Sequence, residues 1–151
     1  MNTAKHSKKW SLPLSRKKPF FARSKHVSAY ISTVLFASWV GTYLDLYFVG
    51  KQMYSFPARP YPAIFSINIA FTLIGLPILT TFFLYFIEKM KTWKKGVFIV
   101  TISLIMMISE KRSEAIGWFA HNDQWDHLYS FFGYSLFLTI IWKFYRWMSS
   151  L

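Results

Sequence analysis

This chain reads as an all-α, four-helix transmembrane bundle with both termini cytoplasmic, and three observations predict it. The 151 residues are 54% hydrophobic and only 16% charged, where a soluble domain carries about 25% charged residues. Uncharged runs long enough to matter alternate with short basic segments. Those runs also lack the period-two alternation of a β-barrel strand.

The first run, Val27 to Leu44, holds 18 uncharged residues and continues past Asp45 to Gly50. The second, between Arg59 and Glu88, holds 28. A hydrocarbon core of ~30 Å takes about 20 helical residues, so these two runs predict helices over 27–50 and 63–87. Gly96–Ser109 and Leu128–Trp142, at 14 and 15 residues, must recruit charged neighbours. Lys94 and Lys95 beside Trp93 mark the start of a third helix over 96–117. A fourth, over 127–147, takes in Lys143 and Arg146, whose stems can snorkel to the headgroups among Trp142, Tyr145 and Trp147. Pro77 should kink the second helix, with Gly75 easing close packing.

Residues 1–26 carry eight Lys/Arg and no acid. They read as a disordered cytoplasmic tail ahead of a membrane domain over 27–151, too long for a signal n-region and without a small-residue cleavage site. Trp10, Leu12, Leu14, Phe20 and Phe21 lie among its cations, a composition that suits anionic lipid headgroups. No nucleic-acid-binding fold accompanies the tail, so nucleic acid is not an expected partner. The expected partners are the bilayer and either a second copy of the chain or another membrane protein. Orientation follows the distribution of Lys and Arg in short loops. Fourteen fall in the tail, the loop after the second helix and the C-terminus, against four on the alternate side. Both termini are therefore expected in the cytoplasm, and the net charge of +12 becomes an orientation signal.

The acids are distributed the other way. At helical rise Asp45 lies about 27 Å along the first helix, Asn68 about 7 Å below the outer boundary and Glu110 about 21 Å along the third helix. Glu114 stands one turn beyond Glu110 on the same face, and His127 opens the fourth helix. A polar layer near the extracytoplasmic face is thus expected from Asp45, Asn68, Glu110, Lys111, Arg112, Glu114 and His127. Ionisable groups at that depth cost about 2.5–3.5 kcal/mol each, so they should face inward and pair. Asp45 is expected near Lys111 or Arg112, with Glu110 and Glu114 sharing the other cation.

Such a layer can be a packing network, a ligand, ion or proton site, or a metal site. No cofactor is expected from the motifs present. Zinc on Glu114, His121 and His127 is the alternative, although their spacing lacks the paired helical histidines of HExxH. Asp123 is a candidate cap for the fourth helix, with Asp126 in a capping-box position. Trp118 and Trp125 read as belt residues. The segment Phe56 to Pro62 reads as a proline-stiffened connector that aims Arg59 at the outer surface. The chain has no cysteine, which excludes disulfides and thiolate chemistry. No phosphate loop, serine-hydrolase elbow or kinase signature is present, so catalytic residues are not assignable.

Two stretches resemble a known family. One is Gly41-Thr-Tyr-Leu-Asp-Leu-Tyr-Phe-Val-Gly-Lys51 with Met53 to Pro62 and Phe65-Ser-Ile-Asn-Ile69. The other is Glu114-Ala-Ile-Gly-Trp-Phe119 with Trp125 to Tyr134. Together they resemble an uncharacterised family of small multi-pass membrane proteins from spore-forming Gram-positive bacteria. The resemblance covers about residues 30–147 and implies a bacterial cytoplasmic membrane without implying an activity. The function expected is a non-enzymatic accessory or interaction component. A small-solute, ion or proton transporter subunit, or a membrane-embedded and metal-dependent enzyme acting at the outer face, are the alternatives.

Overall fold

A computed structural model describes residues 20–151, with side chains from His26 onward; the predicted tail up to residue 19, with its headgroup contacts, lies outside the described residues. In chain order the elements are α1 (Phe20–Gly50), β1 (Tyr54–Ser55), a π-helical turn (Phe71–Gly75) leading into α2 (Leu76–Glu88), α3 (Thr92–Ala115), β2 (Ala120–His121) and α4 (His127–Ser150). The fold is all-helical apart from the two-residue strands. Three stretches, His26–Gly50, Phe71–Glu88 and Thr92–Ala115, are long and apolar enough to cross a membrane. α4 equals α3 in length at 24 residues but is not one of these three.

Several boundaries differ from the sequence expectation. α1 begins at Phe20 rather than residue 27, so the last residues assigned to the tail are helical. The second helix starts well after residue 63. Pro57, Pro60 and Pro62 keep the connector extended, and Arg59 then holds it irregular by donating to the carbonyls of Phe56 (2.6 Å), Phe65 (2.6 Å) and Pro62 (3.4 Å). Arg59 is thus a staple for its own loop and does not project outward. Asn68 correspondingly sits ahead of the helix instead of inside it, where its Oδ1 accepts from the Phe71 N–H at 3.2 Å. Just ahead of Pro77 lies the π-helical turn. Proline has no N–H to return to the carbonyl of Leu73, and its ring crowds that carbonyl. The ladder widens just before it, with the Leu76 N–H reaching back to the carbonyl of Phe71.

α1 and α4 form the central pair, with α2 against α1 and α3 against α4. α2 and α3 meet through aromatic rings, Phe98 lying 5.9 Å from Phe83 and 6.4 Å from Phe86. The inward face of α1 is a row of small residues four apart: Ala29, Thr33 and Ala37 are fully buried, and Gly41 follows. A Cβ on Gly41 would run into the Leu76 side chain, so glycine is what lets α2 approach α1 this closely. Two buried hydroxyls on α1 and α3 satisfy themselves within their own helix. Thr33 donates to the carbonyl of Ala29 at 2.7 Å and Ser103 to that of Ile99 at 2.9 Å, so neither needs a partner on another helix. Phe83, Leu84, Ile87, Leu138, Ile141 and Tyr145 fill the remaining core. The perimeter is the reverse, with Leu35, Trp39, Ile78, Ile108, Phe132 and Leu136 all more than half exposed.

Gly41→Leu should therefore lower the thermal stability of the detergent-solubilised protein by about 1–3 kcal/mol, the usual cost of overpacking. Gly133→Ala, where an added Cβ meets nothing within 4 Å, should leave stability unchanged or slightly raise it.

Candidate functional site

The end of α3 supplies two carboxylates one turn apart, Glu110 and Glu114, on the face that meets α4. α4 starts opposite them because Asp126 caps it, accepting the Leu128 N–H at 2.8 Å. Asp123, the expected cap, is exposed and does not fill that role. With α4 begun at His127, the imidazole and the Ser130 hydroxyl share one helical face and both point at α3.

Glu110 is the hub. Its Oε1 accepts from the Trp125 indole at 3.2 Å and from the Ser130 hydroxyl at 2.5 Å, and it faces His127 Nδ1 at 3.2 Å. The other nitrogen of His127 faces Glu114 Oε2 at 3.1 Å. The second Glu114 oxygen faces His121 Nε2, also at 3.1 Å. His121 Nδ1 in turn lies 2.8 Å from the carbonyl of Asn122. The two imidazole rings are perpendicular, with centroids 5.1 Å apart.

His121 reaches this cluster because its loop is stitched to the first connector. β1 and β2 pair antiparallel, Tyr54 opposite His121 and Ser55 opposite Ala120. Asn122 adds two bonds, its N–H to the carbonyl of Met53 (3.0 Å) and its side-chain amide to that of Gln52 (2.9 Å). Gln52 adopts a left-handed backbone, φ 58°, which turns the chain from α1 toward that pairing. Tyr54 then donates to Asp45 Oδ1 at 2.7 Å. Burial, followed by the charge of Asp45, pushes the Tyr54 phenol above its ordinary range, so it remains a donor. Asp45 continues the inward row of α1, four residues beyond Gly41, and lies near enough to Glu110 for the two charges to interact. Phe48, Tyr54, Phe56, Phe119 and Trp125 pack over this end, mostly edge to face, with adjacent centroids 5.0 to 5.8 Å apart.

Of the residues expected in one polar layer, Asp45, Glu110, Glu114 and His127 come together here, and His121 joins them. Asn68 does not belong to this hydrogen-bonded group, since its side chain caps the start of the next helix. Lys111 and Arg112 are exposed. Among the described residues the basic side chains within ion-pair distance of a carboxylate are His121 and His127, so the expected pairing of Asp45 and the glutamates with Lys111 and Arg112 is not formed. One and two residues beyond Glu110, those cations are rotated off its inward face. Trp125 is a hydrogen-bond donor inside the site rather than a belt residue, whereas Trp118 is exposed. Sequence reasoning missed Ser130, Tyr54, Trp125 and Asn122. Only Ser130 carried a usable signal, three residues beyond His127.

The opposite, lysine-rich end holds a simpler knot. Glu88 accepts from the hydroxyls of Tyr30 (3.0 Å) and Tyr145 (2.5 Å). Beside it opens a cavity of about 240 Å³ lined by Lys95, Trp142, Arg146 and Ser149.

No protein-family model, curated protein or solved structure matches the chain.

Glu110→Ala leaves three donors facing no acceptor, at about 1–3 kcal/mol for each one that stays buried. The variant should unfold at markedly lower temperature in detergent. Glu110→Gln, which keeps an acceptor oxygen in place, should lose less than half as much.

Proposed function

We propose that the chain is a four-span protein of a bacterial cytoplasmic membrane, with both termini cytoplasmic. In this reading the cluster around Glu110, Glu114 and His127 is an extracytoplasmic ligand site, and the protein is a non-enzymatic accessory component. The two stretches resembling small membrane proteins of spore-forming bacteria motivate the bacterial assignment.

Several features support the membrane reading. Large apolar side chains face outward on every helix while small and hydroxyl-bearing residues fill the interface between α1 and its neighbours, the distribution expected where lipid replaces water. α4 pairs with both α1 and α3, so it spans wherever they span. Cations sit on aromatic rings at the lysine-rich end: Lys89 over Tyr85 at 3.4 Å, Lys94 over Trp93 at 5.6 Å and Lys95 over Trp142 at 5.2 Å. Aromatic and basic anchors of this kind mark a membrane–water boundary, and an excess of Lys and Arg marks its cytoplasmic side.

The ligand-site reading is carried by one observation. Both nitrogens of His127 face carboxylate oxygens, on side chains that are only partly exposed. Carboxylates from two successive turns of α3 thus converge on one imidazole, and an ionisable residue at this depth is by default a hypothesis of function.

Because the natural chain lacks cysteine, single-cysteine variants map its topology directly. Asp123→Cys should react with a membrane-impermeant maleimide on intact cells, and Lys91→Cys only after permeabilisation; the reverse pattern would overturn the orientation. For the site, the purified protein is screened for thermal stabilisation by inorganic ions, amino acids and sugars. At least one should stabilise it, with the effect lost in Glu114→Gln and kept in Asp123→Asn. A screen in which nothing stabilises the protein returns the cluster to a packing role.

A further inference from the structure

We infer that the ligand is a divalent transition-metal ion of the zinc class, held by Nε2 of His121, Nε2 of His127 and the carboxylate of Glu114. This rests on the reading of the cluster as a ligand site, and it adds which ligand the geometry selects.

A carboxylate and a backbone carbonyl accept only, and a neutral imidazole has one N–H and one lone pair. All four ring nitrogens of His121 and His127 nonetheless point at such acceptors. Each Nδ1 is matched as a donor, to the Glu110 carboxylate in His127 and to the Asn122 carbonyl in His121. With those protons assigned, each Nε2 holds a lone pair directed at Glu114. Two lone pairs that face the two oxygens of one carboxylate, with the ligand atoms within 4.8 Å of one another, form a cation site.

The second shell agrees with this assignment. Metal-binding histidines almost always donate their other N–H to a carboxylate or a backbone carbonyl, which fixes the tautomer and the ring orientation. Here one histidine has the first kind of partner and the other has the second. Glu110 is itself held by Trp125 and Ser130, and Asn122 by Gln52 and Met53, so both orienting groups are fixed.

Dimensions and access also fit. A tetrahedral ion with bonds of about 2.0–2.1 Å sets neighbouring ligand atoms roughly 3.3 Å apart. The two carboxylate–imidazole separations are 3.1 Å, and all three ligand atoms lie within 4.8 Å of one another. The Glu114, His121 and His127 side chains keep 35%, 22% and 21% of their surface exposed, against 9% for Glu110. The ligands are therefore reachable from solvent while the orienting acid is shielded. Two imidazoles and a carboxylate suit zinc and leave a fourth position for water or a bound solute.

The test uses the full chain, purified in detergent and stripped with a chelator, then titrated with Zn²⁺ alone and separately with Co²⁺. One ion should bind per chain, and Co²⁺ should give the intense visible bands of a tetrahedral site. Glu110→Gln should weaken binding about 10- to 100-fold, the usual effect of losing a second-shell partner. His121→Ala should weaken it further and abolish the Co²⁺ bands, and Asp123→Asn should bind as the parent does. His121 lies in a loop, so this variant keeps the test open even where His127→Ala fails to fold. No bound ion, or a His121→Ala variant that binds as tightly as the parent, overturns the inference. Stabilisation by a non-metal solute in the screen above, without metal binding, would sink the metal assignment and leave the ligand site standing. Failure of both would remove the two together.

Discussion

A carboxylate withdrawn from water must be surrounded by donors, and in this protein that requirement falls on Glu110. Its Oε1 gathers an indole N–H, a hydroxyl and an imidazole from the start of α4 and the residues just before it. Each of those groups is in place only if α4 begins at His127 and runs antiparallel beside α3. The acid thus sets the register between the two helices more stringently than apolar contact can, since apolar surfaces slide at little cost whereas an orphaned charge does not. Glu88 does the same at the other end with two tyrosine hydroxyls from α1 and α4. The bundle is fixed at both extremities by carboxylates and filled between them by small residues and a few large apolar ones.

The choice of donors matters as much as the acid. Lysine and arginine carry long stems that let the charge escape to water, and Lys111 and Arg112 are exposed. Short, stiff donors cannot leave: indole, imidazole, phenol and hydroxyl are held where their helices put them. The same logic explains Arg59, which turns back onto three carbonyls of its own loop. In that loop the prolines leave carbonyls without helical partners, and one guanidinium serves several at once.

Helix existence was legible in the sequence because uncharged length is a direct physical requirement for spanning hydrocarbon, and four runs gave four helices. Boundaries were less so. The proline segment delays the second helix to the turn after Asn68 through contacts made by a single arginine, which no run-length argument contains. Depth arithmetic brought Asp45, Glu110, Glu114 and His127 to one end, since rise per residue is nearly constant. It could not choose their partners, because azimuth depends on packing. Lys111 and Arg112 share the depth of Glu110 but not its direction. His121 and Asn122 became members of the site through a two-residue strand pairing between distant connectors, too short to leave any periodic trace. The row Ala29, Thr33, Ala37, Gly41 and Asp45 was present in the sequence all along. Its meaning emerges only once α2 and α4 are seen against it.

The arrangement of neighbours bears on how the protein is made. Among the described residues the central pair joins the first helix to the last, while α2 and α3 lie on its flanks. During synthesis α2 reaches Gly41 early through Leu76, and Tyr54 supplies the Asp45 donor, but the flank of α1 that meets α4 stays uncovered until α4 has been produced. A helical hairpin of α1 and α2 alone would hold Asp45 with one donor and without the Glu110 and His127 end beside it. Closure of the bundle therefore depends on α4 reaching α1 and α3 together, so truncation before His127 would leave one flank of each bare.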